Sequence, residues 1–105
     1  VGLNDQVVFV SDNIYALAGA RCVYSAAASI GANLQVTVDT GTAAPGTGID
    51  QLSASINLGS TLNTVYTGTL IGSPTTINVN DKVSIDFSGT LVGILGSCTI
   101  TLRRT

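Results

Sequence analysis

Apolar and polar side chains alternate one by one along much of this chain. Residues 34–39, which read Leu-Gln-Val-Thr-Val-Asp, show the pattern most clearly. Side chains of a β-strand point alternately to its two faces, so the three apolar residues would share one face and Asp39 would lie on the other. A helix would scatter the same apolar residues around its axis. The segment is therefore predicted to be a half-buried strand with Asp39 directed outward.

Further stretches repeat this alternation, and turn residues such as Gly, Pro and Asn-Asp separate them. Regular strands are predicted at residues 51–58, with Leu52, Ala54, Ile56 and Leu58 inward and Gln51 outward, at 82–87, with Asp86 outward, and at 97–103. Less regular strands are predicted at residues 7–10, 21–28, 62–70 and 76–79. Because 105 residues suffice for one domain only, we predict an all-β fold: a single jelly-roll-like antiparallel β-sandwich of about eight strands over residues 1–105.

Three segments allow more than one interpretation. Residues 1–13 form either an extended N-terminal arm or the first strand. Residues 13–20 place apolar side chains on one helical face, but Gly19 and the short length disfavour a stable helix. The Gly- and Pro-containing residues 40–50 form a loop that is either functional or merely mobile. The chain starts at Val1, which favours a trimmed initiator methionine over a fragment of a longer chain.

Charge and hydropathy argue against two classes of partner. The formal net charge is -2, whereas proteins that bind nucleic acid carry a basic surface that displaces counterions from phosphates. No apolar run approaches the roughly 18 residues of a membrane-spanning helix, and the start of the chain lacks the pattern of a signal peptide. We therefore expect neither nucleic acid nor a membrane as a partner.

Side chains suited to catalysis are scarce. The sequence has no His, the side chain best suited to proton transfer near neutral pH, and its only acidic residues are six Asp. No two of these Asp residues are spaced to indicate a shared site, and turn and strand positions explain them. The glycines of residues 45–48 lack the flanking helix and Lys of a phosphate-binding loop. We predict that the protein is not an enzyme and binds no cofactor and no metal ion.

Cys22 and Cys98 are the only cysteines, and neither has a second Cys or a His at a spacing that would hold zinc. The simpler interpretation is two buried, reduced thiols that pack as small apolar groups. The alternative is a disulfide between an early strand and the last one. It requires that the two strands are neighbours, with Cα atoms within about 7 Å.

Five residues are candidates for recognition at the surface. Tyr offers a rigid amphipathic ring that can stack on a sugar or anchor a protein contact, although Tyr more often lies in the core or at its rim. Residues of the 40–50 loop could add further contacts. The candidates are Tyr15, Tyr66, Thr42, Pro45 and Thr47.

The order of segments from residue 24 to residue 104 resembles the jelly-roll-like β-sandwich domains of tailed-phage virion structural proteins. The resemblance rests on the succession of 34–40 (Leu-Gln-Val-Thr-Val-Asp-Thr), a Gly/Pro-containing loop, 62–70, 77–87 (Ile-Asn-Val-Asn-Asp-Lys-Val-Ser-Ile-Asp-Phe) and 98–103 (Cys-Thr-Ile-Thr-Leu-Arg). Here Asn80-Asp81 stands where that family has a Gly-Asp turn, and Asn also suits a left-handed turn position.

The resemblance implies a head-decoration, or cement, protein, a fibre tip or a baseplate receptor-binding head. The length of 105 residues, without coiled-coil heptads or a collagen-like repeat for a shaft, favours a small decoration protein over a fibre. Such a protein would lie on the outer surface of the capsid in the virion. It would bind the major capsid protein as a homo-oligomer, with a trimer favoured, and stabilise the assembled shell. The alternative is a receptor- or glycan-binding head domain of a phage fibre or baseplate protein.

The first segment supplies the candidates for contact with the capsid. Its four consecutive apolar residues would expose apolar side chains on both faces of a strand, and such a strand needs cover from another chain or from the core. The capsid-contact candidates are Val7, Val8, Phe9 and Val10.

Overall fold

The computed structural model describes residues 5–26, 32–58, 62–89 and 95–105, and all regular secondary structure in these ranges is β. No helix among the described residues is long and apolar enough to cross a membrane. The strands are β1 (Gln6–Val10), β2 (Tyr15–Ala26), β3 (Asn33–Asp39), β4 (Ile49–Asp50), β5 (Ile56–Asn57), β6 (Tyr66–Thr67), β7 (Lys82–Ser88) and β8 (Leu95–Arg104). Residues 1–4 of the predicted arm and residues 27 and 28 of a predicted strand lie outside the described residues.

The strands form two antiparallel sheets. The first has the order β1-β7-β3-β4, with β5 also paired to β3, and the second has the order β6-β2-β8. Every pairing between strands is antiparallel. The predicted all-β antiparallel sandwich of about eight strands is confirmed. The predicted strand at 62–70 is shorter than expected, because only Tyr66–Thr67 pair within a sheet.

One apolar core lies between the two sheets. The register of β3 and β7 places Val36 opposite Ile85 and Val38 opposite Val83, so alternate positions of both strands form an apolar surface. The longest strand of the other sheet, β2, covers this surface. The buried apolar side chains are Leu17, Ala20, Cys22, Tyr24, Ala32, Leu34, Val36, Val38, Leu52, Ile56, Leu58, Ile77, Val83 and Ile85.

Residues 51–58 do not form the continuous strand that their alternation predicts. β4, just before this segment, and β5, near its end, both pair with β3, and the chain moves away from β3 between them. The side-chain amide of Gln35 occupies the gap: it donates to the Leu52 carbonyl at 3.0 Å and accepts from the Leu52 amide at 2.9 Å. This departure turns Gln51 inward and Ala54 outward, so both predictions of their orientation were wrong.

The ambiguous segment 13–20 belongs to a strand. Tyr15 begins β2, and the pairing of β2 with β8 contains an irregularity between Leu17 and Gly19. A bulge of this kind inserts one extra residue, so the side chain that returns to the core is Ala20, three positions after Leu17, rather than two. The spacing that suggested a helical face is therefore the spacing of a bulged strand.

Residues 51–53 and 69–71 close one side of the sandwich. After leaving β3, the first segment pairs with the second through an isolated β-bridge between Leu52 and Leu70. Backbone hydrogen bonds of 2.8 and 2.9 Å flank this bridge. Since residues 69–71 follow β6 of the other sheet, the chain connects the two sheets here. We call this the closed side.

Cys22 and Cys98 lie directly opposite each other on β2 and β8, with Cα atoms 4.1 Å apart, and form a disulfide. The interpretation as two reduced thiols was therefore wrong, and the alternative of a disulfide to the last strand is confirmed. The register of this strand pair brings together two residues that are 76 positions apart in sequence. The cross-link ties the last strand to the centre of its sheet.

Candidate functional site

β1 is an edge strand with exposed apolar side chains. It pairs with β7, and no other strand among the described residues pairs with it. Val8 is 45% exposed and Val10 61% exposed, Val7 is also exposed, and Phe9 is half-buried. The segment thus has the pairing of a first strand, one of the two alternatives for it. Its outward side chains are nevertheless those expected of a contact surface.

Two further exposed apolar residues lie at the end of β1. Backbone hydrogen bonds of 2.9 Å connect Ser11 with the turn at Asn80 and Asp81, which brings this turn beside the link from β1 to β2. Val10, Ile14 and Val79 are exposed around this junction, and we call them the end patch. Sequence reasoning missed Ile14 and Val79 because it placed them in a helical face and in a strand. The available signal was an apolar residue inside an Asn- and Asp-rich turn.

A groove separates β1 from β8 on the side opposite the closed side. It includes cavities of about 400 and 230 Å³. Its lining is mostly apolar and includes side chains from both sheets, namely Val8, Tyr24, Ile85, Phe87, Leu95, Cys98, Ile100 and Leu102. Among the described residues no strand pairs with the outer edge of β8. We call this groove and its two flanking strand edges the open side.

The 40–50 loop is anchored by a buried carboxylate. Asp39 was predicted to point to solvent but has no exposed surface, because the loop folds back over that face of β3. Its oxygens accept hydrogen bonds from the amides of Gly46, at 3.2 Å, and Gly48, at 2.8 Å, and from the hydroxyls of Thr37 and Ser84. Gly46 and Gly48 belong to the loop and Ser84 belongs to the neighbouring strand β7, so the carboxylate holds both in place. These hydrogen bonds therefore fix the loop to β3.

The pKa of Asp39 reflects this environment. Burial by itself would raise the pKa of this carboxyl group, since the charged form loses hydration. The four hydrogen bonds favour the charged form and outweigh burial, so the pKa of Asp39 lies below its ordinary value. Lys82 adds a second anchor, because its ammonium group donates to the carbonyl oxygens of Gly41 and Ala43. Thr42, Pro45 and Thr47 are exposed on this anchored loop.

Two carboxyl groups meet where β1 begins. Asp5 accepts a hydrogen bond from the amide of Phe87 at 2.9 Å, which ties the start of β1 to β7. Asp86 lies beside it, and partial burial together with the charge of Asp5 raises the pKa of Asp86. Within the described ranges, no three His, Cys, Asp or Glu side chains are placed to hold a metal ion. The two close carboxylates therefore repel each other, and no third ligand among the described residues joins them.

We expect Asp86→Asn to raise the free energy of unfolding at pH 7 by about 0.5–1 kcal/mol, because it removes repulsion between close carboxylates. The pKa of Asp86 is higher in the folded state, so its contribution to stability is complete at low pH and is lost as pH rises through that pKa. The gain should therefore vanish in acid, below the raised pKa of Asp86, where this carboxyl group is protonated in the wild type. Urea unfolding of both proteins at several pH values measures this, and an equal gain at all pH values would contradict it.

The three tyrosines lie in different environments. The hydroxyl of Tyr15 donates to Asp12 at 2.7 Å, a bond that raises the pKa of Tyr15, and its ring packs edge-on against Phe9. Tyr24 is buried, and burial raises its pKa to about 12. Tyr66 lines a groove on the closed side, together with Ser, Thr and Asn residues.

The structure does not bring the five recognition candidates into one site. The groove beside Tyr66 has a volume of about 230 Å³ and includes neither Tyr15 nor any residue of the 40–50 loop. Its other lining residues are Ser53, Ala54, Ser55, Ile56, Asn57, Thr67, Gly68 and Thr69. Hydroxyl and amide side chains beside one aromatic ring can bind a sugar.

Comparisons with models of protein families, with curated proteins and with solved structures found no match to this chain. The surfaces described above therefore provide the basis for proposing a function. They are the end patch, the open side, the anchored loop and the groove beside Tyr66.

Proposed function

We propose that this protein is a non-enzymatic virion structural protein, a capsid decoration or cement protein of a tailed phage. It binds the outer surface of the phage head and stabilises the shell, with the major capsid protein as its partner. The resemblance described above suggests this role, and the fold is compatible with it. The observation that carries the proposal is the exposed apolar surface formed by β1 and the end patch.

This surface is suited to a protein partner. Val10 is 61% exposed and Val79 is 53% exposed, on a chain whose charged residues are few. Exposed apolar side chains that lie together mark contact sites on soluble proteins, and an uncharged contact region loses little hydration energy on binding. The end patch, together with the exposed side chain of Val7 in β1, would form the contact with the shell, whereas Val8 lines the groove on the open side.

The acidic residues support a structural role over a catalytic one. Asp5 and Asp39 accept backbone hydrogen bonds from neighbouring segments, and Asp12 accepts the hydroxyl of Tyr15. Asp81 accepts the amide of Asn78 within its own turn, at 2.9 Å. Each of these carboxylates thus stabilises a turn, a loop or a strand contact, as capping and turn residues do.

Stabilisation of the shell would follow from linkage. A protein that binds the assembled shell but not the free subunits lowers the free energy of the assembled state, by an amount that rises with its concentration. A homo-oligomer, for which the resemblance favours a trimer, would contact several capsid subunits at once and gain avidity.

Binding to particles tests the proposal. We expect the wild-type chain to co-sediment with phage heads that lack it, and Val10→Lys combined with Val79→Lys to weaken this binding at least about tenfold, because two charges would be placed in an apolar contact. Val65→Lys is the matched control, since Val65 is 60% exposed but lies next to β6, away from the end patch. Equal binding by all three proteins, or no binding by the wild type, would contradict the proposal.

The groove beside Tyr66 favours a second candidate function, the receptor- or glycan-binding head of a fibre or baseplate protein. Its ring and surrounding hydroxyl groups have the composition of a shallow sugar site. A glycan array separates the two functions: a specific glycan signal that Tyr66→Ala abolishes would support the second. An empty array combined with binding to heads would support the first.

A further inference from the structure

We propose that the open side is the surface through which this chain associates with further copies of itself, with the β1 edge of one copy beside the β8 edge of the next. The proposal names the contact surface of the homo-oligomer described above. It concerns the chain in solution and is tested without phage particles.

The two sides of the sandwich differ in whether strand pairing connects the two sheets. On the closed side, the bridge between Leu52 and Leu70 connects the sheets. On the open side, β1 and β8 are both edge strands among the described residues, and the core between them is incompletely covered. Ile100 and Leu102 of β8 are only partly buried, and Leu95 is 65% exposed. Within the described parts of the chain, the sandwich therefore lacks cover along this side.

Along most of their length, these two edges lack the charged and Pro residues that keep strand edges apart. Proteins protect exposed edges with charged side chains, above all Lys, or with Pro. Residues 6–10 and 95–102 contain no charged residue and no Pro. A partner strand could therefore pair with either edge without burying a charge.

The direction of the strands indicates how copies would fit. Gln6 lies at the Leu95 end of the groove and Phe9 at the Leu102 end, so β1 and β8 run the same way along it. Rotation about an axis parallel to these strands brings β1 of one copy beside β8 of the next with both directions kept. Each copy then pairs its β1 edge with one neighbour and its β8 edge with another copy's β1. Such a head-to-tail contact forms a small ring when the rotation closes.

Charge complementarity favours this arrangement over the pairing of two β8 edges. Asp12 follows β1 at the same end of the molecule at which Arg103 and Arg104 close β8. In the ring, Asp12 after β1 of one copy lies beside Arg103 and Arg104 at the end of β8 of the neighbouring copy. Antiparallel pairing of two β8 edges would instead place Arg103 near the uncharged Leu95 end. A second copy thus supplies the matching edge and the matching charge together.

Native mass spectrometry and light scattering test the proposal. At about 100 µM chain, far above the dissociation constant expected of a standard interface, the wild type should have a mass of two or more times 10.6 kDa. Val8→Lys and Leu95→Lys should each shift the protein to the 10.6 kDa monomer, because they place a charge in the groove. Val65→Lys, next to β6 at the opposite edge of the β8 sheet, should keep the wild-type mass.

Exchanging the charges of two residues adds a second test, because an unfolded variant could not regain the oligomeric fraction. Arg103→Asp should reduce the oligomeric fraction at low salt, and adding Asp12→Arg to it should restore that fraction. Amide hydrogen exchange of the wild type should show slower exchange of β1 and β8 at high chain concentration than at low concentration. Circular dichroism confirms that each variant is folded.

Three results would overturn the proposal. One is a wild type that stays monomeric at this concentration, and another is an oligomer that Val8→Lys and Leu95→Lys leave intact. The third is a monomer whose β1 and β8 amides are protected only on phage heads, which would assign the open side to the shell protein. A monomer that still binds heads would leave the proposed function standing, and an oligomer that does not bind them would leave this inference standing.

Discussion

Reduction of the disulfide between Cys22 and Cys98 is expected to lower the free energy of unfolding by about 4 kcal/mol. A disulfide restricts the unfolded chain more strongly when it closes a longer loop, and this one joins residues 76 positions apart. Small domains have a total stability of about 5–15 kcal/mol, so the loss would leave the reduced protein marginal. Urea unfolding with and without reductant measures the difference.

The double variant Cys22→Ala with Cys98→Ala is the control for this experiment. It should unfold at a urea concentration near that of the reduced wild type, and reductant should not change its transition. Cys22 is buried, so the variant carries a small additional loss from the missing sulfur atoms. An oxidised wild type no more stable than the double variant would show that the cross-link contributes nothing.

Replacing Asp39 with Ala is expected to cost about 3 kcal/mol at pH 7. The substitution removes the acceptor of four hydrogen bonds and leaves the buried hydroxyl groups of Thr37 and Ser84 without this partner. It also releases the loop that these bonds hold over β3. Asp39→Asn should fall between Ala and the wild type, because an amide keeps one acceptor oxygen but lacks the charge.

The pH dependence of this loss identifies the carboxylate as its source. The pKa of Asp39 is lower in the folded state than in the unfolded state, so its contribution is present above the unfolded value and is lost as pH falls through the folded pKa. The difference between the wild type and Asp39→Ala should therefore shrink in acid. Asp50→Ala, at an exposed position of neighbouring β4, should change stability by less than about 0.5 kcal/mol. A loss independent of pH, or an equal loss at Asp50, would contradict the assignment.

The strands that sequence predicts well are those with local alternation and one buried face. β3, β7 and β8 appear close to their predicted positions, because their apolar residues recur every second position and turn residues bound them. The failures arise where a distant segment changes the environment. Asp39 and Gln35 have polar side chains on a face that looks solvent-exposed in sequence, but the loop and the 51–55 excursion cover it. No local pattern reveals that cover.

The candidate surfaces, like the strands, were predictable only in part. Val8 and Val10 could be selected because four consecutive apolar residues cannot all be buried in an edge strand. Ile14 and Val79 could not be placed beside Val10, since their proximity to it depends on the hydrogen bonds between Ser11 and the turn at Asn80. The β8 edge was likewise missed, because its alternation is that of an ordinary strand. That β2 is its single partner among the described strands is a property of the sheet order.

Intact mass spectrometry of purified virions that encode this chain is the most direct test of its proposed function. The account predicts on the order of hundreds of copies per particle, as expected for a protein that follows the symmetry of a shell. A few dozen copies or fewer would instead favour the fibre or baseplate head. Complete absence of the chain from the particles would contradict the virion role.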